Sequence, residues 1–364
     1  MFDKLKKMLG GKAQPATGEN ADQQDLLINA YCTTLAPPPP RFAHTLLGRR
    51  DLADPALKPH LDGFLGYVQS RGDGQMTQLR YHVLRHIQRV QTHLSLSLPE
   101  HELPAYEAWA REANAISFLP DGALRDPQGR LLIDAAGDSE AGAQVPYPRE
   151  AAERKARSDA LLAARGIRVP ASLPPLVGET ELRLRAPLAA AGRALGLMVV
   201  AVRAESLNAG SPLSPEQLRE RCAPGFDHLT PAELAFMAQA APEQQAIVQF
   251  AWRYEALALL QWALGWVDEL PFPSEICDVP RTVRAVLEHD PQALLREARL
   301  RSPGEILDAL DLHYRLHWAV REAQVQNTGV PPGLEGGVIL ERHYALNWLV
   351  RFEESEWDEV DTPT

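Results

Sequence analysis

The stretch from Ser302 to Phe352 constrains this chain most. Ser302 stands as N-cap, Pro303 occupies the first helical position and Glu305 follows three residues after the cap, the pattern of a capping box that satisfies otherwise orphaned backbone donors. Ile306, Leu307, Leu310, Tyr314, His317 and Trp318 then recur at three- and four-residue spacing, with Leu312, Leu316 and Ala319 widening the apolar surface. Such a helix is buried on most sides. After the Gly/Pro loop NTGVPPGLEGG a second helix carries Val338, Ile339, Ala345, Leu346, Trp348, Leu349 and Phe352, and the pair is expected to pack antiparallel. Six of the seven tryptophans fall between Trp252 and Trp357, so one aromatic core should join this pair to a long helix over residues 243–265.

Polar residues enter the apolar surfaces at helical spacing. Asp308, Asp311 and Arg315 lie on the first helix with His313 and His317 four apart, and Glu341, Arg342, His343 and Asn347 lie on the second. Arg253 and Glu255 come from the long helix. A charge among tryptophans must be paired, because an unpaired buried charge costs several kcal/mol, and an ion pair from Arg342 to Asp308 or Asp311 is the structural expectation. The competing chemical reading places His313 and His317 on one helix face, with Glu341 and His343 as further metal ligands.

The strings WRYEALALLQWALG (Trp252 to Gly265), RSPGEILDALDLHYRLHWA (Arg301 to Ala319), ERHYALNWL (Glu341 to Leu349) and WDEVDTPT (Trp357 to Thr364) together resemble the bacterial domain-of-unknown-function family four-two-seven-two over about the second half of the chain. The ending DTPT departs slightly from that family's WD-x-V-x-TDT pattern. The resemblance implies no activity, substrate or cofactor and carries no functional residue over.

The rest of the chain sets the architecture. Residues 1–24 are polar and Gly-rich, which predicts a flexible leader. LLINAYCT reads as a strand, and four successive prolines in APPPPRF as a stiff connection. A helix opening at Asp54-Pro55 is followed by a strand near Tyr81 to Leu84. In QRVQTHLSLSL, Val90, Thr92, Leu94, Leu96 and Leu98 share one parity, the alternation of a half-buried strand. A helix over LPAYEAWAREA, strand AISFL, a turn at Asp126-Pro127-Gln128-Gly129 and strand LLID complete a unit over 25–140. That order suggests a ferredoxin-like α/β sandwich. A linker over 141–150 leads to an all-α helical domain over 151–352, marked by helix starts at Ser214, Thr230, Asp290 and Ser302, and then an acidic tail over 353–364. The fold class is therefore α+β.

Composition narrows the function. A net charge of -11 supplies no footprint for phosphate backbones, so nucleic-acid binding is disfavoured, and the sheet lacks aromatics for stacking RNA bases. Cys32, Cys222 and Cys277 lie far apart with no CxxC, which argues against a zinc cluster or disulfide scaffold and for a reducing compartment. The longest apolar run, LGLMVVAV, is short of a membrane span, so a cytoplasmic protein without membrane attachment is expected. His82, His86, His93 and His101 read as residues on solvent faces rather than as a metal set. Neither GxGxxG, GxxxxGK[ST], HExxH nor GxSxG occurs. The sequence thus favours a non-enzymatic binding, regulatory or interaction protein with an unidentified protein or small-molecule partner and no cofactor. The alternative is a metal-dependent hydrolase built on His313, His317 and His343.

Overall fold

The computed structural model describes residues 25–364, so the leader expected over 1–24 lies outside the described residues. The chain divides into two units, with the boundary between Ala152 and Glu153. The first contains β1 (Leu26–Cys32), β2 (Thr45–Asp51), α1 (Leu57–Gln69), α2 (Gln78–Gln88), β3 (Thr92–Leu98), α3 (Leu103–Glu112), β4 (Ala115–Phe118), β5 (Leu124–Arg125) and β6 (Leu131–Ile133). These strands form one antiparallel sheet in the order β2-β3-β1-β4-β5-β6.

Three expectations for this unit are corrected. Residues 81–84 are helical, not a strand: the Thr77 side chain accepts the Arg80 N–H at 3.1 Å to cap α2, and Val83, Leu84 and Ile87 give it a buried helical stripe. The strand that the sequence did not reveal is β2, whose adjacent Leu46 and Leu47 are both exposed and which bulges between Leu46 and Gly48, leaving no alternation to read. Two strands therefore precede two helices, in place of the strand, helix, strand, strand order expected. The third correction concerns β3, which is covered on both faces. Ile28, Ala30 and Cys32 of β1 and Leu94, Leu96 and Leu98 of β3 pack with Tyr106 and Trp109 of α3. On the opposite face Tyr31, Ile116 and Phe118 meet Leu61 and Phe64 of α1 and Val83 and Ile87 of α2.

His86 and His93 are consequently buried, not on solvent faces. Burial first, then neighbouring charge, holds them neutral, with pKa lowered to about 3 and about 2. Nor is 141–150 a bare linker: Ala143 and Val145 are buried in the α1/α2 core, and the Gln144 N–H donates to Asp126 Oδ2 at 3.2 Å.

The second unit is mostly helical. The unit boundary falls inside α4 (Arg149–Ala164), followed by α5 (Pro187–Asn208), α6 (Pro215–Arg221), α7 (Ala223–Phe226), α8 (Pro231–Met237), α9 (Gln244–Ala251), α10 (Arg253–Ala263), α11 (Val279–Leu287), α12 (Pro291–Arg296), α13 (Pro303–Val325) and α14 (Gly336–Leu349). The anticipated starts hold. Ser214, Thr230 and Ser302 each form a complete capping box, and Asp290 accepts the Gln292 N–H at 3.0 Å. The single long helix expected over 243–265 instead breaks at Trp252, where the Glu255 N–H bonds back three residues to the Trp252 carbonyl at 3.0 Å. The break lets Gly337 of α14 press on the Trp252 ring, where a Cβ would come within 2.6 Å.

The core forms around α5, α10, α13 and α14. By length and composition α5 is long and apolar enough to cross a membrane, and 78% of its apolar window is buried among the other helices. Reading LGLMVVAV alone missed this, because the flanking alanines extend the apolar stretch across both ends. Against α5 lies Gly225 of α7, where a Cβ would sit 2.7 Å from both the Leu195 carbonyl oxygen and Val199 Cγ2. The carbonyl cannot swing aside as a side chain does. We therefore expect Gly225→Ala to destabilise the unit by about 1–3 kcal/mol, as overpacking does. A denaturant-unfolding midpoint equal to that of wild type would show that α7 slides on α5 instead.

Residues 353–364 are not a free tail. Trp357 is buried, edge-on to Tyr344 and Trp348, and Tyr344 Oη donates to the Trp357 carbonyl. Asn347 Nδ2 donates to the Asp361 carbonyl at 2.8 Å, and Glu356 pairs with Arg185 at 3.1 Å. The tryptophan anchors an acidic strap in which Glu354 meets Arg183 and Arg351, and Glu356 meets Arg185, all of the same unit.

Candidate functional site

The polar residues singled out in the sequence gather in the helical unit, but as separate ion pairs. Arg342 meets Glu255, through Nη2 at 3.1 Å and Nε at 3.3 Å, and its Nη1 donates to the Pro271 carbonyl at 2.7 Å. Both side chains are 2% exposed. The expected partners Asp308 and Asp311 are engaged elsewhere. Asp311 takes a two-pronged bond from Arg315 one turn along α13, at 2.8 and 2.9 Å. Asp308 lies half in solvent and accepts from Arg154 at 2.9 Å and Arg157 at 2.8 Å. The pairing was misassigned because sequence spacing gives each residue's helix face but not which neighbouring helix that face meets.

Arg253 pairs with Glu341 at 3.0 Å and lies over the Tyr344 ring at 4.8 Å. Burial pushes the Glu341 carboxyl up, against the opposing pull of Arg253. Glu341 is thereby committed to an arginine rather than to the histidines. A further pair was missed, Arg193 to Glu233 at 2.6 Å, both almost fully buried. The signal was legible: an arginine inside the apolar run of α5 needs a carboxylate, and Glu233 is the capping-box glutamate of α8.

The histidines meet only in part. His317 Nδ1 and His343 Nδ1 share a hydrogen bond of 3.0 Å with rings edge-on, while His313 donates from Nδ1 to the Ala309 carbonyl at 2.7 Å, within its own helix. Burial lowers the pKa of His313 and His317 to about 4 and that of His343 well below its ordinary value, with the other histidines adding to the shift at His343. Among the described residues no three His, Cys, Asp or Glu side chains converge as a metal centre requires.

One cleft opens beside this network, with a volume of about 550 Å³ and walls from α4, the end of α10, residues 270–273 and the first turns of α13. Arg154, Ser158 and Leu162 follow one another at four-residue intervals on the buried side of α4, a polar-then-apolar stripe that sequence reading passed over. Arg154 is almost wholly buried and holds Asp308 through Nε and Glu179 through Nη2 at 2.6 Å, which leaves its buried Nη1 without a partner in the protein. His313, on the facing wall, likewise keeps a buried Nε2 without one. Arg165 stacks over the Phe272 ring at 4.5 Å. The size and mixed lining suit a small organic molecule.

An α+β chain whose mostly helical half encloses buried ion pairs beside a mixed cleft is the class that fold and site define. The chain belongs to the family described as Domain of unknown function (DUF4272), whose model matches residues 154–360. No curated protein and no solved structure matches it.

Proposed function

We propose that this chain is a non-enzymatic binding or regulatory protein of the cytoplasm, with its ligand site in the helical unit. The cleft carries this reading: it lies in the family's own segment, and its walls set the cations of α4 beside the apolar side chains of Trp262, Leu270, Phe272 and Leu312. The surrounding charges point the same way. Arg342, Arg315 and Arg253 are neutralised by Glu255, Asp311 and Glu341, which suits a rigid frame better than a set of reactive groups. For the first unit, the order β2-β3-β1-β4 with antiparallel neighbours supports a ferredoxin-like kinship in the sheet alone, since no helix joins β1 to β2 and helices cover both faces.

The hydrolase alternative needs His313, His317 and His343 to share one ion, and His313 is turned to its own helix backbone. Protein purified without added metal is expected to hold substoichiometric zinc, iron or manganese, and its melting temperature should not respond to a chelator. One equivalent of tightly held metal, lost in His317→Ala, would instead support the hydrolase.

A further inference from the structure

We infer that the acidic strap is exchangeable, and that the groove on α5 and α14 which it fills takes the same segment from a second copy of this chain, giving a strap-swapped dimer. The inference stands apart from the cleft and does not rest on it.

The strap is held as a bound peptide is held. Its main-chain carbonyls are taken by side chains of the helical body: that of Ser355 by Arg185 Nη2 at 2.5 Å, that of Trp357 by Tyr344 Oη, and that of Asp361 by Asn347 Nδ2 at 2.8 Å. The Trp357 ring sits edge-on to Tyr344 and Trp348, and the guanidinium groups of Arg193 and Arg253 lie 5.0 and 5.8 Å from its centre. Beside it Glu356 pairs with Arg185, and Asp358 Oδ2 accepts the Ala232 N–H at 3.2 Å. None of these contacts depends on which chain supplies the segment. Apart from Trp357 the strap is exposed or half-buried, so its release uncovers one large side chain and leaves the helices packed on one another.

The link to the strap is strained. Among the described residues five non-glycine residues have a left-handed φ, and two of them are asparagines, which tolerate it. The other three are Arg351 at 56°, Glu353 at 54° and Glu354 at 56°, all within four positions. A side chain with a Cβ disfavours this backbone, and here it turns the chain from the end of α14 back onto that helix's own groove. Extending the link relieves all three residues together. Short hinges under strain favour exchange over closure for this reason, and a dimer made by exchange needs no contact that the single chain does not already make.

Charge selects the occupant. The segment from Glu353 to Asp361 carries six carboxylates and one net-neutral anchor, Trp357, while the rim of the groove presents Arg183 and Arg185. The strap of a second copy brings the same acids to the same arginines.

Sedimentation equilibrium of the full chain carrying Glu353→Gly or Glu353→Val tests the inference. Both substitutions remove the same exposed carboxylate, so the two variants differ in how readily position 353 adopts a left-handed φ: glycine does so freely, and a β-branched residue least of all. The expected result is a monomer–dimer equilibrium in the wild type, with a dimer association constant about tenfold or more larger for Glu353→Val than for Glu353→Gly, because two hinges open in each dimer. Trp357→Ala should remain monomeric. Absence of a dimer in every variant overturns the inference, as do equal constants for the two hinge variants or the reverse order. A folded Trp357→Ala that dimerises like the wild type overturns it as well, and where that variant does not fold the hinge pair decides alone.

Discussion

Replacing Glu255 with alanine is expected to destabilise the helical unit by about 3–5 kcal/mol, the usual consequence of stranding one member of a buried ion pair. Arg342 would be left 2% exposed with only the Pro271 carbonyl as partner, and the Cys277 N–H, which donates to Glu255 Oε1 at 2.5 Å, would be orphaned as well. Arg342→Met should be distinctly milder. It removes the charge together with its hydration demand, and the remaining carboxylate still accepts from the Cys277 N–H. Denaturant unfolding of the two variants gives the ranking directly, and an alanine variant within about 1 kcal/mol of wild type would mean that the pair is not buried in solution.

Acid should weaken both units well above the range where carboxylates titrate. Burial, first among the causes, lowers His60 to about 4 and His86 to about 3 in the sheet unit, and His313 and His317 to about 4 in the helical unit. An unfolded histidine titrates near 6.5, so between pH 6.5 and about 4 the unfolded chain binds protons that the folded chain refuses. Stability from these groups is therefore complete above pH 6.5 and falls as pH drops, by up to about 1.4 kcal/mol per pH unit for each such histidine. Urea midpoints at pH 7, 6 and 5 should decline in sequence. Equal midpoints at pH 7 and 5 would show that water reaches these rings.

The helices of the second unit were legible because their signals are local. A Ser or Thr, then a proline, then a glutamate or glutamine three residues after the cap specify a start through bonds made inside that same turn, which is why Ser214, Thr230 and Ser302 could be placed. The sheet was harder to read. In β2 the leucines face solvent at an edge, and in α2 a histidine- and arginine-rich stretch has alternating residues that mimic a strand until Thr77 is recognised as a cap. At the candidate site, sequence gave the membership of the polar cluster but not its partners, since Arg342 finds Glu255 through tertiary packing across 87 positions. The cleft was invisible for the same reason. Arg154, Trp262, Phe272 and His313 come from separate segments of the chain, and only the folded lining of the cleft brings them together.

That the helical unit is a binding domain is tested most directly by equilibrium dialysis of the full chain against a mixture of small organic molecules, with both compartments assayed by mass spectrometry. The account predicts that one or a few of them are retained with the protein in a one-to-one ratio, chemically unchanged after prolonged incubation. Depletion of a compound with the appearance of its product would contradict it and make this chain an enzyme.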